Sequence, residues 1–376
     1  MNFSINKDVL LTNLLIVSKA LASKTVNQLL QSIKLDINED TITLTASNGE
    51  ISIKNSFKDK SLKVIEGGSV LIPGKYFLES VRMISSYTVE FNLIDENIIS
   101  IKSGTLEYKL NLWNVEDYPN VDFLDLLDSL KIGSSTLRTI IREVAFNAAI
   151  NDKKPILTGI NFKYSNHLLT VVATDSFRLA RKELALELNY KDFEITIPNK
   201  SLDELLKILE SYEEDVNIYI TSNKVLFKIN DLYFQTRLLD GQYPETSRII
   251  PSSFDCILCF NKVDLLTSVE SVALLATRES GTNLGFINFS LRSDKVLEIR
   301  ANNSEVGNAV RELIPSNDVI GNNLKISFSS KYLVDVLRSL QTNEIVMSFV
   351  GSFKPIVIRE LNNNELTHLI IPVRVD

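Results

Sequence analysis

The chain is poor in the residues that build most metal, redox and disulfide sites. Among 376 residues there are two cysteines, two histidines, three methionines and one tryptophan. Two cysteines exclude a disulfide scaffold and are typical of a reducing compartment. No apolar run approaches the roughly 18 residues that a membrane-spanning helix requires. The sequence therefore predicts a globular protein located in the cytoplasm.

The apolar start of the chain leaves a signal peptide as an alternative. The run from Val9 to Val17 is followed by the small-residue segment 20–22, as in a cleavage site. Asp8 precedes the run, however, and the polar pair Thr12-Asn13 interrupts it. We favour a helix of the folded protein.

Motifs for catalysis or metal binding are also lacking. Cys256 and Cys259 have CxxC spacing without a second pair, so buried core is the better interpretation. His167 and His368 are far apart in the sequence, and Asp175 has no recognisable basic partner. No GxGxxG or GxxxxGK segment is present. We expect no metal, no cofactor and no catalytic site.

One short segment is present three times. The copies are IPGKYFLESVRMI from Ile72, IPNKSLDELLKIL from Ile197 and FSSKYLVDVLRSL from Phe328. Each has a lysine, an acid four positions later and a base seven positions later, and at helical periodicity this trio shares one face. Apolar residues occupy roughly the opposite face: Phe77, Val81, Ile84, Leu202, Leu206, Leu209, Leu333, Leu337 and Leu340. The repeat predicts three similar domains with a helix in each.

Further periodic segments surround each copy. Residues 5–21, 133–148 and 260–277 have helical spacing, and alternating strand-like runs precede and follow each repeated helix. Two helices and several antiparallel strands per unit predict an α+β fold, with both helices on one sheet face. We predict domains at 1–127, 128–252 and 253–376, rigidly packed because no Gly/Ser-rich linker separates them.

Charge is unevenly distributed. The whole chain carries −7, whereas the six predicted helices, with the fifth extended to Arg278, carry +4 and leave −11 elsewhere. A basic helix layer on an acidic body is typical of a surface that faces phosphates without reading sequence. Solvated helix faces with internal ion pairs are an equally good interpretation of this pattern.

The repeats, together with ATDSFRLA at 173–180, LLDGQYPETSRIIP at 238–251 and LIIPVR at 369–374, resemble the bacterial DNA polymerase III β subunit, the sliding-clamp family. The resemblance covers the whole chain. It implies a ring-shaped processivity factor without catalytic activity of its own, serving a DNA-directed DNA polymerase in replication. Two copies would join head to tail, and six domains would enclose double-stranded DNA.

The resemblance also assigns residues. Cations on or near the helices would face DNA: Lys24, Lys75, Arg82, Arg138, Arg142, Lys200, Lys207, Lys331 and Arg338. A hydrophobic groove would bind peptides of the polymerase α subunit, the clamp loader and other partners: Leu157, Thr174, Phe177, Arg178, Leu179, Pro244, Arg248, Ile249, Leu369, Ile371, Pro372, Val373 and Arg374. Such a groove suits a peptide that carries glutamine and ends in Leu or Phe. Plain core is the alternative for Leu157, Leu179 and Ile249.

The resemblance further places the dimer contact between the edge strands LEYKL (106–110) and NAVREL (308–313). Tyr108 and Leu110 would pack against Leu274 and Leu275 of the other copy, unless each fills the core of its own domain. Two other classes of function stay open at this point. An enzyme would have its site around Asp175 and Arg178, and a monomeric three-repeat scaffold would bind proteins without enclosing DNA.

Overall fold

The computed structural model describes residues 1–22, 25, 27–123, 128–151, 153–187, 190–276, 285–316, 319–321 and 324–373. Within these residues the chain forms six α-helices and 25 β-strands, all of whose pairings are antiparallel. The helices are α1 (Lys7–Val17), α2 (Gly74–Met83), α3 (Ser134–Val144), α4 (Asn199–Leu209), α5 (Lys262–Ala273) and α6 (Ser330–Ser339). The α+β class and the repeat of two helices are confirmed.

The strands follow the same threefold order. In the first third they are β1 (Asn2–Asn6), β2 (Ser32–Ile37), β3 (Ile42–Ser47), β4 (Ile51–Phe57), β5 (Lys63–Glu66), β6 (Gly68–Pro73), β7 (Thr88–Asp95), β8 (Ile98–Ser103) and β9 (Leu106–Asn111). In the second third they are β10 (Leu130–Gly133), β11 (Gly159–Ser165), β12 (Leu168–Thr174), β13 (Arg178–Ala185), β14 (Phe193–Pro198), β15 (Asp215–Ile220), β16 (Lys224–Ile229) and β17 (Leu232–Arg237). In the last third they are β18 (Cys256–Asn261), β19 (Phe286–Leu291), β20 (Leu297–Asn303), β21 (Gly307–Leu313), β22 (Lys325–Ser329), β23 (Glu344–Phe349), β24 (Ile356–Glu360) and β25 (Asn363–Ile370).

The helices begin where short polar side chains or proline end a strand. Asn6 Oδ1 accepts the N–H of Val9 at 3.0 Å, and Asn261 Oδ1 accepts the N–H of Val263 at 2.9 Å. Ser329 caps α6 in the same way, as the serine pair predicted. Pro73 is the N-cap residue of α2 rather than a first-turn residue, so the prediction for this helix began two residues too early.

The repeated helices bury the predicted face. Eight of the nine predicted apolar residues are buried, and Leu206 is partly exposed. Phe77 packs edge-on against Phe91 with ring centroids 6.0 Å apart, and Phe91 stacks on Phe3 at 4.5 Å. Burial of each such ring contributes about 1.5–3 kcal/mol relative to exposure.

The sheets cross the predicted domain boundaries. One sheet has the order β10-β15-β16-β17-β4-β3-β2-β6, and another has β14-β11-β12-β13-β25-β24-β23-β18. The smaller sheets are β5-β1-β7-β8-β9 and β21-β20-β19-β22. By contacts the chain forms two compact units, residues 1–138 with 201–238 and residues 139–200 with 239–376, each holding two of these sheets. The three domain boundaries stay predictions, because strand pairing joins neighbouring repeats.

Candidate functional site

The shared lysine of each repeated helix is exposed at the start of its helix. Lys75, Lys200 and Lys331 occupy equivalent positions in α2, α4 and α6. A lysine side chain is a mobile cation on a flexible stem, so this position suits contact with phosphates that must not be fixed in one place. The structure thus presents the first cation of the repeat three times in the same local setting.

The second base of each repeat is exposed too, but it has a carboxylate partner. Arg82 pairs with Glu79 at 2.5 Å in α2, and Lys207 pairs with Glu204 at 2.7 Å in α4. The third departs from this pattern, because Arg338 of α6 pairs with Glu270 of α5 at 2.7 Å. Exposed pairs of this kind contribute only about 0–1 kcal/mol, so a phosphate can compete for these cations.

Arg138 has a different environment from the other predicted DNA-facing residues. Its guanidinium donates to the carbonyl oxygens of Leu209 at 2.7 Å and Tyr212 at 2.8 Å, and to both carboxylate oxygens of Glu213. Only 14% of the side chain is exposed. The residue therefore satisfies the last carbonyl of α4 and a carbonyl of the segment that follows it. Basic side chains often have this role at the C-terminal end of a helix.

The structure says less about the two remaining residues that were predicted to face DNA. Arg142 is exposed on α3, and Lys24 lies outside the described residues. With the observed helix bounds, the six helices carry +2 instead of +4, since Lys19 lies beyond the end of α1 and Arg278 lies outside the described residues. The basic bias of the helix layer is therefore smaller than the sequence predicted.

The floor of the predicted groove is a small apolar cluster. It joins Leu157, Leu179 and Leu369, each at most 3% exposed, with Val172 and Tyr243. Leu179 pairs with Leu369 across β13 and β25, which places both side chains on one face of the sheet. The Tyr243 hydroxyl accepts the N–H of Thr174 at 3.1 Å, and burial raises the pKa of this tyrosine.

The rim of the groove exposes apolar surface. Phe177 is 60% exposed, Ile249 45% and Ile371 37%, while Pro244 and Arg248 are exposed beside them. Ile371 donates its N–H to the carbonyl of Phe177 at 2.9 Å, and Val373 donates to Ser327 at 2.8 Å. Pro372 is partly buried, and Arg374 lies outside the described residues. An apolar floor with an exposed apolar rim can receive an apolar side chain.

Arg178 is held by two carboxylates and two rings. Its Nε donates to Asp175 at 2.9 Å, and its Nη1 donates to Asp335 at 2.8 Å. The guanidinium lies 4.5 Å from the ring centroid of Tyr332 and 5.5 Å from that of Phe146. Only 9% of Arg178 is exposed. It fixes the start of β13 against α6, and little of its side chain is left to contact a bound peptide.

Tyr332, Asp335 and Phe146 were missed as groove neighbours by sequence reasoning. Tyr332 directly follows the shared lysine of α6, where the other repeats have Tyr76 and Ser201. Its position in the repeat gave a signal, because the apolar-face pattern does not account for a large aromatic residue there. Asp335 was counted only as the acid of the repeat, and Phe146 had no distinguishing signal.

Asp175 is saturated with hydrogen bonds. Its Oδ1 accepts the N–H groups of Phe177 and Arg178, each at 2.9 Å, and its Oδ2 accepts Arg178 Nε–H. A carboxylate committed to three donors is a poor general base. The geometry therefore gives no support to an active site around Asp175 and Arg178.

The predicted subunit contacts lie at sheet edges. Among the described strands, β9 pairs with β8 alone and β21 pairs with β20 alone, so each leaves one edge open. Tyr108 and Leu110 of β9 are partly buried. Leu274 is 83% exposed and Leu275 is partly buried just after α5. Leu274 thus does not fill the core of its own domain.

The cysteines and histidines set aside from the sequence occupy structural positions. Cys256 is buried in β18, and burial raises the pKa of its thiol. His368 is fully buried in β25, while His167 is exposed in the β11–β12 turn. Among the described residues, no group of three or more His, Cys, Asp or Glu could hold a metal ion. In the same part of the chain, no helix is long and apolar enough to cross a membrane.

Comparison with known proteins covers the whole chain. Three family models match in order: the DNA polymerase III beta subunit N-terminal domain at residues 1–122, its central domain at 131–245 and its C-terminal domain at 247–374. A beta sliding clamp of Streptococcus pneumoniae R6 is 36% identical over 381 residues, covering 100% of each chain.

Solved structures agree with the sequence relatives. The DNA polymerase sliding clamp from Bacillus subtilis has a TM-score of 0.95 at 33% identity, and the DNA polymerase III beta chain from Streptococcus pneumoniae TIGR4 has 0.93 at 34%. Each comparison covers 100% of both chains. The chain therefore belongs to the family of DNA polymerase III beta subunits, the sliding clamps, which are non-catalytic processivity factors of DNA polymerase III.

Proposed function

We propose that two copies of this chain close head to tail into a six-domain ring around duplex DNA. Strand β9 of one copy would pair with β21 of the other, and Leu274 and Leu275 would pack against Tyr108 and Leu110. The observation that carries this proposal is the pair of open edges at β9 and β21, in a chain of the clamp family. An open strand edge can pair with strands of other molecules and cause aggregation, and pairing of β9 with β21 would remove both open edges.

The cations of the repeated helices would face the DNA. Lys75, Lys200 and Lys331 are exposed at equivalent positions, and Arg82, Lys207 and Arg338 make only exposed ion pairs. Arg142 and Lys24 join this group. Contacts with phosphates alone carry no sequence information, so the ring could slide. Arg138 would act as a positioning residue for α4 rather than as a DNA contact.

DNA and DNA polymerase are the partners that membership of the family implies. The groove would bind a short apolar peptide of the polymerase α subunit, the clamp loader or another partner, in the cytoplasm. Its floor is the cluster around Leu157, Leu179 and Leu369, and its rim includes Phe177 and Ile371. The ring would stay on DNA because it encloses the duplex, and the groove would hold the polymerase to the ring.

Removal of residues 371–376 tests the groove. The truncated chain should lose binding of a fluorescent pentapeptide that carries glutamine and ends in Leu-Phe, because the apolar rim residue Ile371 is absent. Fluorescence anisotropy measures the affinity, and sedimentation confirms that the protein is still a folded dimer. A point variant, Ile371→Asp, should act in the same direction.

Ile65→Asp is the matched control, since Ile65 of β5 is 80% exposed and belongs neither to the groove nor to the proposed dimer contact. It should bind the peptide like the unaltered chain. Retained binding by the truncated protein would contradict the assignment of the groove.

A further inference from the structure

A polar cavity lies on the same sheet face as the groove floor. Thr174, Val172 and Thr170 alternate along one face of β12, and β13 places Leu179, Arg181 and Glu183 opposite them. Side chains two residues apart in a strand share a face. Arg181 therefore comes one pleat after the groove residue Leu179, and Val172 of the apolar cluster lies directly opposite Arg181.

The cavity has a volume of about 460 Å³ and is covered by the loop 242–247. Its polar lining includes Asn161, Lys163, Thr170, Arg181, Glu194 and Thr246. It shares Tyr243 and Pro244 with the groove, and such a volume is sufficient for a few peptide atoms or side chains. The two spaces are neighbouring parts of one surface.

Hydrogen bonding in this cavity is incomplete. Arg181 Nη2 donates to Glu183 at 2.7 Å, whereas its buried Nε has no partner among the described residues. The Asn161 amide donates over long distances, 3.3 Å to the Thr196 hydroxyl and 3.5 Å to both Glu194 and the carbonyl of Ile195. Burying a donor without an acceptor costs free energy, so the site favours a ligand that supplies an acceptor.

The charges of the cavity select against an acidic ligand. Lys163 and Glu194 pair at 3.5 Å, and Glu183 already accepts from Arg181. Hydrogen bonds from the Ser247 hydroxyl and from the Ser247 N–H hold the pKa of the Glu245 carboxyl below its usual value. The cations present are balanced by carboxylates, so an added negative charge gains little.

We infer that this cavity binds the uncharged polar segment that flanks the apolar anchor of a partner peptide. A main-chain carbonyl, hydroxyl or amide oxygen of that segment accepts a hydrogen bond from the Arg181 guanidinium, whose side chain is 22% exposed and lines the cavity. The inference rests on the proposed peptide groove and extends it by one site. Arg181 would then determine specificity for the polar segment that flanks the apolar anchor, and would have no part in binding the anchor itself.

The test compares peptides of different length on the full chain. The core probe is the pentapeptide that carries glutamine and ends in Leu-Phe, and longer probes add Ser-Asn-Gly at either end. One extended probe should bind about tenfold more tightly than the core, and Glu-Glu-Gly in its place should give no gain. Arg181→Met should remove the gain while leaving core binding unchanged.

Arg359→Met is the matched control, because Arg359 donates to Thr367 at 3.0 Å on the same sheet without lining the cavity. It should keep the full gain. Thr170→Tyr fills the cavity without removing Arg181, and it should also abolish the gain in affinity. This variant keeps the inference testable even where Arg181→Met does not fold.

Three outcomes are decisive. Core binding without any gain from either neutral extension would overturn the inference and leave the groove intact. Failure of the core probe itself would instead overturn the proposed groove. A larger gain from the acidic extension would contradict the assignment of an uncharged ligand.

Discussion

At the scale of single residues, the unit formed by residues 139–200 and 239–376 contains buried polar groups whose balance is sensitive to pH. His368 has no exposed surface, and its ring lies 5.6 Å from that of Phe146. Burial lowers the pKa of His368 to about 3, with Arg178 and Lys182 acting in the same direction and Glu360 opposing them. The His368 ring is therefore neutral in the folded protein at neutral pH.

His368 should make stability fall in mild acid. Its pKa is about 3 when folded and about 6.5 when unfolded, so its contribution is complete above pH 6.5 and is lost as pH falls toward 3. The loss approaches about 1.4 kcal/mol per pH unit between those values. Urea unfolding at pH 7, 5.5 and 4.5 should show a smaller pH slope for His368→Asn than for the unaltered chain.

The other histidine provides the control. His167 is exposed in a turn with a φ of 62°, a conformation that asparagine tolerates. His167→Asn should keep the slope of the unaltered chain. Equal slopes in all three proteins would show that His368 does not titrate as its burial requires.

Lys182 should be far more important for stability than an exposed lysine. Its Nζ lies 3.0 Å from Glu143, and the two side chains are 7% and 2% exposed. Burial raises the pKa of Glu143, while Lys182 opposes that effect. Lys182→Met leaves an uncompensated buried carboxyl and should lower the free energy of unfolding by about 3–5 kcal/mol.

Lys131→Met is the comparison, because Lys131 pairs with Asp215 at 2.8 Å in an exposed setting. Its cost should stay within about 1 kcal/mol. Adding Glu143→Gln to Lys182→Met should recover stability. Equal losses for the two lysines in urea unfolding would refute the buried pair.

Single-residue roles were the least accessible from sequence. Arg138 was predicted to face DNA and Arg178 to contact a peptide, yet each guanidinium is engaged by groups distant in the sequence. Asp335 lies 157 positions from Arg178, and no local spacing indicates that contact. Pattern reasoning located the segments, and tertiary packing decided what each charged group contacts.

At the scale of elements, the repeated helices were predictable because periodicity fixes a helical face from local sequence alone. Burial of Phe77, Leu202 and Leu333 confirms that face. The strands β6, β14 and β22, which lead into the repeated helices, were missed. They are five or six residues long and run directly into a strong helical signal. Their strand form depends on pairing with β2, β11 and β19.

The repeated helices should act together on DNA. Replacing Lys75, Lys200 and Lys331 with Ala removes six cations from a dimer, and each lost phosphate contact lowers the magnitude of the log–log salt slope by about 0.9. DNA affinity over a salt series should show weaker binding and a slope smaller by up to about 5. Sedimentation should show an unchanged dimer.

A second triple variant separates position from net charge. Lys60, Lys102 and Lys354 are exposed but lie outside the helices, and their replacement by Ala changes the charge equally. This protein should keep the salt slope of the unaltered chain. Equal effects of the two triple variants would mean that the helices have no special part in DNA contact.

At the scale of the whole molecule, the sequence repeat and the sheets divide the chain differently. The repeat predicts three domains, whereas β17 pairs with β4 and β13 pairs with β25, so backbone hydrogen bonds run from one repeat into the next. Edge strands of adjacent repeats satisfy each other in this way. Register and neighbour choice depend on tertiary packing, so periodicity alone could not predict them.

The same logic applies to the strands that remain at the outside. Within the described chain, β9 and β21 are edges without a second neighbour, and Val310 of β21 is 52% exposed. The family resemblance assigned these two segments to the dimer contact, and the structure adds that both strands lie at the edge of a sheet. In the proposed dimer, closure between copies uses β9 and β21, two of the open edges in which the described sheets end.

Averaged electron-microscope images of the purified protein in low salt test the ring most directly. We expect six-lobed particles with a central opening wide enough for a DNA duplex, because pairing of β9 with β21 at both junctions closes the dimer. Particles with three lobes and no closed opening, at every protein concentration, would contradict the ring and leave retention on DNA without a topological basis.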